Sequence, residues 1–132
     1  MQLTLSTDIA LRTLIYLGRK NDFATIQEVA DANNISKTHL MKVVMALVAE
    51  NILMSERGRN GGIRLATDAR NIPISAVVRL MENSIALVPC MKLESSRDEC
   101  PLQPDCRLQG VLRQAKRAFF TSLEQNSLAD IL

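Results

Sequence analysis

Two short alternating runs, residues 52–57 (ILMSER) and 62–66 (GIRLA), flank the tetrapeptide Gly58-Arg59-Asn60-Gly61. Alternation with period two is the pattern of strands with one buried face, and an Asn-Gly pair between them supplies the backbone freedom of a hairpin turn. The additional glycines imply a loop longer than two residues, with more than one positive-φ position. A chain carrying this hairpin must therefore place a tight, basic-tipped β-ribbon immediately after whatever precedes residue 52.

What precedes it is helical. Ile9, Ala10, Leu14, Ile15 and Leu17 recur at helical spacing over residues 7–19, and Gly18 with Asn21 supplies a stop. Thr25-Ile26-Gln27-Glu28 has the form of a capping box and starts a second helix running to about Ala32. Asn33-Asn34 tolerates left-handed backbone and makes a turn, after which Ser36 can cap a third helix over residues 37–50 with Leu40, Val43, Val44, Leu47 and Val48 inward. Helix, tight turn, helix and then hairpin is a winged helix-turn-helix. Beyond it, residues 74–81 read as a short helix starting near Pro73, and periodicity stops over residues 82–105. It resumes at Arg107, where Leu108, Leu112, Ala115, Phe119 and Ser122 form one apolar seam along a helix that needs a partner. The expected fold is mainly α: a winged helix-turn-helix with a two-stranded wing and a long C-terminal dimerisation helix. The expected division is a DNA-binding domain at 1–82, an irregular cysteine-rich loop at 83–106, and a dimerisation helix and tail at 107–132.

Composition narrows the class. With 132 residues the chain can bury a core without a disulfide framework, and three cysteines cannot all pair internally. Charges interrupt every hydrophobic stretch and no basic start precedes an apolar run at the N-terminus, so no membrane span or leader is expected and the protein should be cytoplasmic. Four aromatics and no Trp make base-stacking platforms for single strands improbable, which leaves duplex DNA.

The net charge of +2 hides an asymmetry, since residues 33–66 carry five basic side chains against two acidic ones. In a winged helix-turn-helix the N-terminal residues of the recognition helix meet base edges and the wing follows backbone or minor groove. Candidate DNA contacts on the helix are Ser36, Lys37, Thr38, His39 and Lys42. On the wing they are Arg57, Arg59, Asn60 and Arg64, beside glycines that let the backbone come close. The alternative is a solvated basic face. A lone module of this size would bind weakly, so the C-terminal helix is expected to pair two copies on a near-palindromic operator, with recognition helices about 34–36 Å apart. The alternative is that this helix folds back on its own domain.

Cys90, Cys100 and Cys106 are spaced C-x9-C-x5-C within one irregular stretch. Cytosolic thiols stay reduced, and metal ligation explains the cluster better than pairing. Spacing does not choose among zinc, an iron-sulfur group and bare thiols: the closely spaced pairs of a zinc knuckle are absent, and an all-cysteine cluster needs a fourth cysteine. With the only histidine placed on the recognition helix, an oxygen ligand is the natural fourth, from Asp98, Glu99 or Asp105 or from a carboxylate brought in by folding or dimerisation.

Taken together, MQLTLSTDIALRTLIYL, the wing RGRNGGIRL, ISAVVRLMEN, the three-cysteine loop with CPLQPDCRL and the terminal SLADIL resemble the NsrR family of nitric-oxide-sensitive repressors. That family lies in a superfamily of dimeric winged-helix regulators that also holds IscR and RirA, and the likeness runs along essentially the whole chain. The resemblance implies that the 83–106 loop binds an iron-sulfur cluster through Cys90, Cys100 and Cys106, with an aspartate at the start of the first helix, here Asp8, completing a 4Fe-4S site from the other subunit and a 2Fe-2S cluster as the alternative form. IscR-like members instead use a histidine three residues after the last cysteine for a 2Fe-2S cluster, and that position is Gln109. Independently of the resemblance, Asp8 suits the first turn of a helix and stands four residues before Arg12, an ion-pair spacing. The stretch from Cys90 to Cys100 is longer than the family pattern, with Ser95-Ser96 as extra loop.

The function implied is a repressor whose operator binding is gated by an iron-sulfur cluster reacting with nitric oxide. Alternatives are a regulator responding to iron supply or redox state through its cluster, and a zinc-stabilised protein-interaction module that never meets DNA. An enzyme is not expected, because the one histidine lies on an exposed helix turn far in sequence from any cysteine nucleophile.

Overall fold

The computed structural model describes residues 2–92, 100–102 and 105–132. Helix α1 spans Leu5–Lys20, α2 Ile26–Asn33 and α3 Lys37–Ala49. Strands β1, Leu53–Glu56, and β2, Gly62–Leu65, form the antiparallel wing, followed by α4, Ile74–Met81, and α5, Arg107–Glu124.

Local chemistry sets the helix ends. Thr4, Thr25 and Ser36 are in extended conformation, and their hydroxyls accept from the backbone N–H groups of Thr7, Glu28 and His39. Asn21 and Asn34 close α1 and α2 in left-handed conformation, at φ 53° and 52°. At the start of α2 the Thr25 half of the capping box forms, with Glu28 N–H donating at 3.1 Å. The Glu28 carboxylate turns mainly to α1 instead, where the Tyr16 hydroxyl donates to it at 2.7 Å and the Lys20 ammonium pairs with it. Those two partners, Lys20 foremost, hold the Glu28 carboxyl below its ordinary pKa against the opposing effect of desolvation.

The three N-terminal helices enclose one core, in which Ala10, Leu14, Val29, Leu40 and Leu47 are fully buried. Leu53 and Ile63 carry the wing's inner face into the same core, and the strand register pairs Leu53 with Leu65 and Ser55 with Ile63. A third segment braces the wing: Ile63 N–H donates to the Ala24 carbonyl at 2.8 Å, and Ala24 N–H returns a bond at 3.0 Å. Gly62 sits at φ 148°, where an added Cβ would lie 2.4 Å from the Ala24 carbonyl oxygen, so the close approach of these segments requires glycine.

Helix α4 joins the core through Val77 and Met81, and its other side, Ile74 and Val78, packs on Phe120 of α5. The α5 contact differs from the expected seam. Phe120 is 3% exposed with Leu123 beside it, whereas Leu108 and Val111 are 56% and 62% exposed. The helix thus rests on α4 by its C-terminal half and leaves the apolar side of its first two turns uncovered. After α5 the chain returns to the main core, where Leu128 is fully buried and its N–H donates to the Ile72 carbonyl at 2.8 Å. No helix of the described residues is long and apolar enough to cross a membrane.

Candidate DNA-binding face and cysteine cavity

Helix α3 divides into two faces. Leu40, Val43, Val44 and Leu47 are buried, while Lys37, Thr38, His39, Met41, Lys42 and Met45 are exposed. Ser36 is exposed too, but its hydroxyl already accepts from His39 N–H at 3.2 Å and so fixes the first turn. Sequence reasoning passed over Met41 and Met45, which are 48% and 70% exposed on the same face as Lys42. Their signal is available in the periodicity: positions 38, 41, 42 and 45 share the face opposite the core stripe. Large apolar side chains there can contact thymine methyl groups.

The wing tip is polar and open. Arg57, Arg59 and Asn60 are exposed, and the turn closes with Gly61 N–H donating to the Gly58 carbonyl at 3.1 Å. Gly61 and Gly58 serve different needs: a Cβ on Gly61 would meet the Glu56 carbonyl oxygen at 2.3 Å, whereas Gly58 has open space but φ 118°. Arg64 is engaged otherwise than at the tip. Its guanidinium lies 4.8 Å from the Phe23 ring centroid and its Nε is 3.2 Å from the Met54 sulfur, so it braces the wing's base while remaining exposed.

The three cysteines come together. Cys90, in a short 3-10 turn at Pro89–Met91, Cys100, and Cys106 at the N-cap of α5 all line one cavity of about 410 Å³. The rest of its wall is largely apolar, including Val88, Leu102, Leu108 and Leu112. Each thiol is partly buried and none is in a disulfide. Gln109, in the first turn of α5, lines the same cavity and its amide donates to the Cys90 carbonyl at 3.4 Å, tying that turn to the helix. Among the described residues no three His, Cys, Asp or Glu side chains converge as a single metal ion would require. Three soft thiols sharing one cavity are a donor set that fits zinc or an iron-sulfur group by its chemistry.

Asp8 is not part of this cavity's wall. Its carboxylate receives Arg12 NH2 at 2.6 Å and Arg12 Nε at 3.1 Å, the expected ion pair one turn along α1. Arg12 also reaches the Asn33 carbonyl at 3.4 Å. Asp105 is exposed next to Cys106, and Asp98 and Glu99 lie outside the described residues.

Glu82 was not foreseen as a structural centre. At the end of α4, its Oε1 accepts from Thr4 N–H at 2.8 Å, from the Thr4 hydroxyl at 3.1 Å and from the Thr7 hydroxyl. Desolvation pushes its pKa up, but these bonds outweigh it and hold the carboxyl below its ordinary value. The start of α1, with Asp8, is thereby fastened to the residue that opens the cysteine segment.

Comparison with known proteins places this arrangement. The Rrf2 family model, described as iron-dependent transcriptional regulator, matches residues 3–132. The HTH-type transcriptional regulator NsrR of Halalkalibacterium halodurans is 43% identical over 134 aligned residues, covering 100% of this chain and 90% of that protein. The regulator of the same name from Bacillus subtilis is 37% identical, again over 100% of this chain and 90% of that protein. Among solved structures, T. potens IscR superposes with a TM-score of 0.77 at 18% identity, covering 99% of this chain and 85% of that one. CymR, the global cysteine regulator of B. subtilis, superposes at 0.78 and 22% identity, covering 99% and 95%. Those two likenesses carry the winged-helix fold, and the family match and close relatives carry the function class. The chain belongs to the Rrf2 family, DNA-binding transcriptional regulators rather than enzymes.

Proposed function

We propose that this regulator is a homodimeric repressor whose hold on a near-palindromic operator depends on an iron-sulfur cluster and is released by nitric oxide. The observation that carries the reading is that Cys90, Cys100 and Cys106 line one cavity while Asp8 lies elsewhere on the same chain. Three thiolates leave a ligand place, and Asp8 of the partner subunit is the carboxylate assigned to it. The uncovered Leu108 and Val111 at the start of α5, beside the cavity, supply the apolar surface on which a second copy would sit. Gln109 stands where a histidine would favour a 2Fe-2S site, so the 4Fe-4S form is the one proposed.

The bound cluster would supply iron with affinity for nitric oxide. The chain's own residues do the rest. Cys90, Cys100 and Cys106 hold the group against α5, and Asp8 of the partner subunit ties that subunit's first helix to it. Glu82 fastens the same helix start to α4 within each chain. With these ties made, the two α3 helices keep operator spacing; with them broken, the dimer no longer matches its site. On the DNA, Lys37, Thr38, His39 and Lys42, capped into place by Ser36, would face the major groove, while Arg57, Arg59 and Asn60 follow the adjacent backbone or minor groove and Arg64 steadies the wing. A swing from 99:1 to 1:99 in the binding-competent state needs about 5.5 kcal/mol of differential affinity, which loss of a shared ligand set can supply.

The test is anaerobic purification with iron and sulfide analysis and visible spectroscopy of the parent chain and of Cys90→Ser, Cys100→Ser and Cys106→Ser. The reading requires iron and sulfide in the parent and their loss in each variant. Stoichiometric zinc without sulfide would replace it with the zinc-stabilised module. The family's description as iron-dependent favours one second reading, in which iron supply rather than nitric oxide is the signal. Following operator binding during chelator and nitric oxide titrations separates them.

A further inference from the structure

Residues 81–132 carry six basic and seven acidic side chains, and four of the basic ones gather in one place with Arg79. Arg79 of α4, Lys92 after the Pro89–Met91 turn, and Arg113, Lys116 and Arg117 of α5 all line a second cavity, of about 540 Å³, with Glu124 as the one carboxylate among the described residues of its wall. That carboxylate is already engaged, 3.0 Å from the Arg79 guanidinium. Among the described residues Arg113, Lys116 and Arg117 have no ion-pair partner. Arg79 is also stacked 3.9 Å from the centroid of the buried Phe120 ring, which restrains its planar fork without using its outer donors.

We infer that this cavity is a binding site for a small phosphate-bearing polyanion. Its volume is that of a small-molecule site, within the usual ~300–1,000 Å³ range. Several cations held in one concavity repel each other and concentrate anions, and guanidinium forks match phosphate oxygens in bidentate fashion. The exposed residues of α3 and the wing tip take no part in its wall, so the site is separate from the candidate DNA-binding face. The Pro89–Met91 turn is a wall common to both cavities, because Cys90 lines each of them. Whatever fills the basic cavity therefore presses on the turn that positions a cysteine of the other, and linkage makes any such influence reciprocal. The site does not depend on the cluster reading, since its cations stand whether or not the thiols hold iron.

The experiment is calorimetric titration of the full chain with inorganic pyrophosphate, beside Arg113→Ala/Arg117→Ala, Lys116→Gln and the remote control Arg70→Ala. Saturable binding is expected, weakened tenfold or more in the double variant, weakened measurably by Lys116→Gln and unchanged by Arg70→Ala. Absence of binding to the parent chain at millimolar pyrophosphate would overturn the inference, as would equal affinity across all four proteins. If the double variant instead becomes monomeric in sedimentation, the cavity serves the partner subunit. If it loses operator affinity while pyrophosphate never binds, the cations contact the DNA backbone. Either result also overturns the inference, and neither touches the iron and sulfide analysis on which the cluster reading stands.

Discussion

The Arg12 guanidinium grips the Asp8 carboxylate through two nitrogens, at 2.6 and 3.1 Å, on the exposed side of α1. In the single chain this pair satisfies a carboxylate that does not belong to the cysteine cavity. Exposed pairs at this spacing are worth about 0.3–0.5 kcal/mol, which a stronger ligand bond readily outcompetes. Asp8→Ala should therefore leave the metal-free protein's Tm within a few degrees of the parent and yet lower the retention of iron and sulfide by the anaerobically purified protein. Thermal unfolding of the metal-free proteins and iron and sulfide analysis of the anaerobically purified ones measure the two. Arg12→Ala, which frees the carboxylate, should retain iron at least as well as the parent.

Glu82 makes the fold sensitive to acid. Its carboxyl is held below the ordinary value in the folded state, so the stability it contributes is fully present above the unfolded-state value and is lost as pH falls through the lower folded-state value. Asp68, held at about 2 chiefly by its side-chain bond to Arg70, contributes with the same sign on a solvent-screened surface. Glu82→Ala should cost about 1–2 kcal/mol at neutral pH, the worth of hydrogen bonds to a charged acceptor at a half-open site. Its unfolding midpoint should also fall less steeply between pH 6 and the acid limit than that of the parent. Denaturant melts at several pH values check this.

Gly62→Ala should damage the wing more than Gly58→Ala. Both glycines have positive φ, but only at Gly62 would the new Cβ also strike the Ala24 carbonyl, at 2.4 Å. The expected cost is about 1 kcal/mol at Gly58 from conformation alone and about 2–3 kcal/mol at Gly62, where the bridge to Ala24 must open. Chemical denaturation orders the two variants.

Lys42 and Arg59 should behave as phosphate-reaching cations if α3 and the wing tip meet duplex DNA. Replacing either by Ala should lower operator affinity several-fold and reduce the slope of log affinity against log salt by about 0.9 for each phosphate contact removed. Met41→Ala should instead change preference among operator sequences with little effect on that slope. Anisotropy titrations at several salt concentrations distinguish the two behaviours.

How far the sequence could be read depended on the range of the interaction. The helix-turn-helix and wing follow from neighbours: the hydroxyl caps at Thr25 and Ser36, the left-handed Asn34 and the glycines around Asn60 act within a few residues of themselves. The partner of α5 does not. Its seam of Leu108, Leu112 and Phe119 is periodic, yet the side buried within the chain is marked by Phe120, because α4 presents Ile74 and Val78 to it. Glu82 was equally opaque, since its donors Thr4 and Thr7 stand at the other end of the domain. Charge counting over a segment missed the basic cavity because a net count carries no positions, and Arg79 joins the cavity from outside that segment. The spacing of Arg113, Lys116 and Arg117 already places them on one helix face. The three cysteines lie close enough in sequence to line one cavity of about 410 Å³, the feature the gating account rests on.

That account is tested most directly by titrating the anaerobic, cluster-loaded dimer with nitric oxide while measuring its affinity for an operator duplex. It predicts tight binding before the gas and a loss of a hundredfold or more after a few equivalents per cluster, with Cys106→Ser weak throughout. Unchanged operator affinity after nitric oxide, in protein shown to contain iron and sulfide, would contradict it.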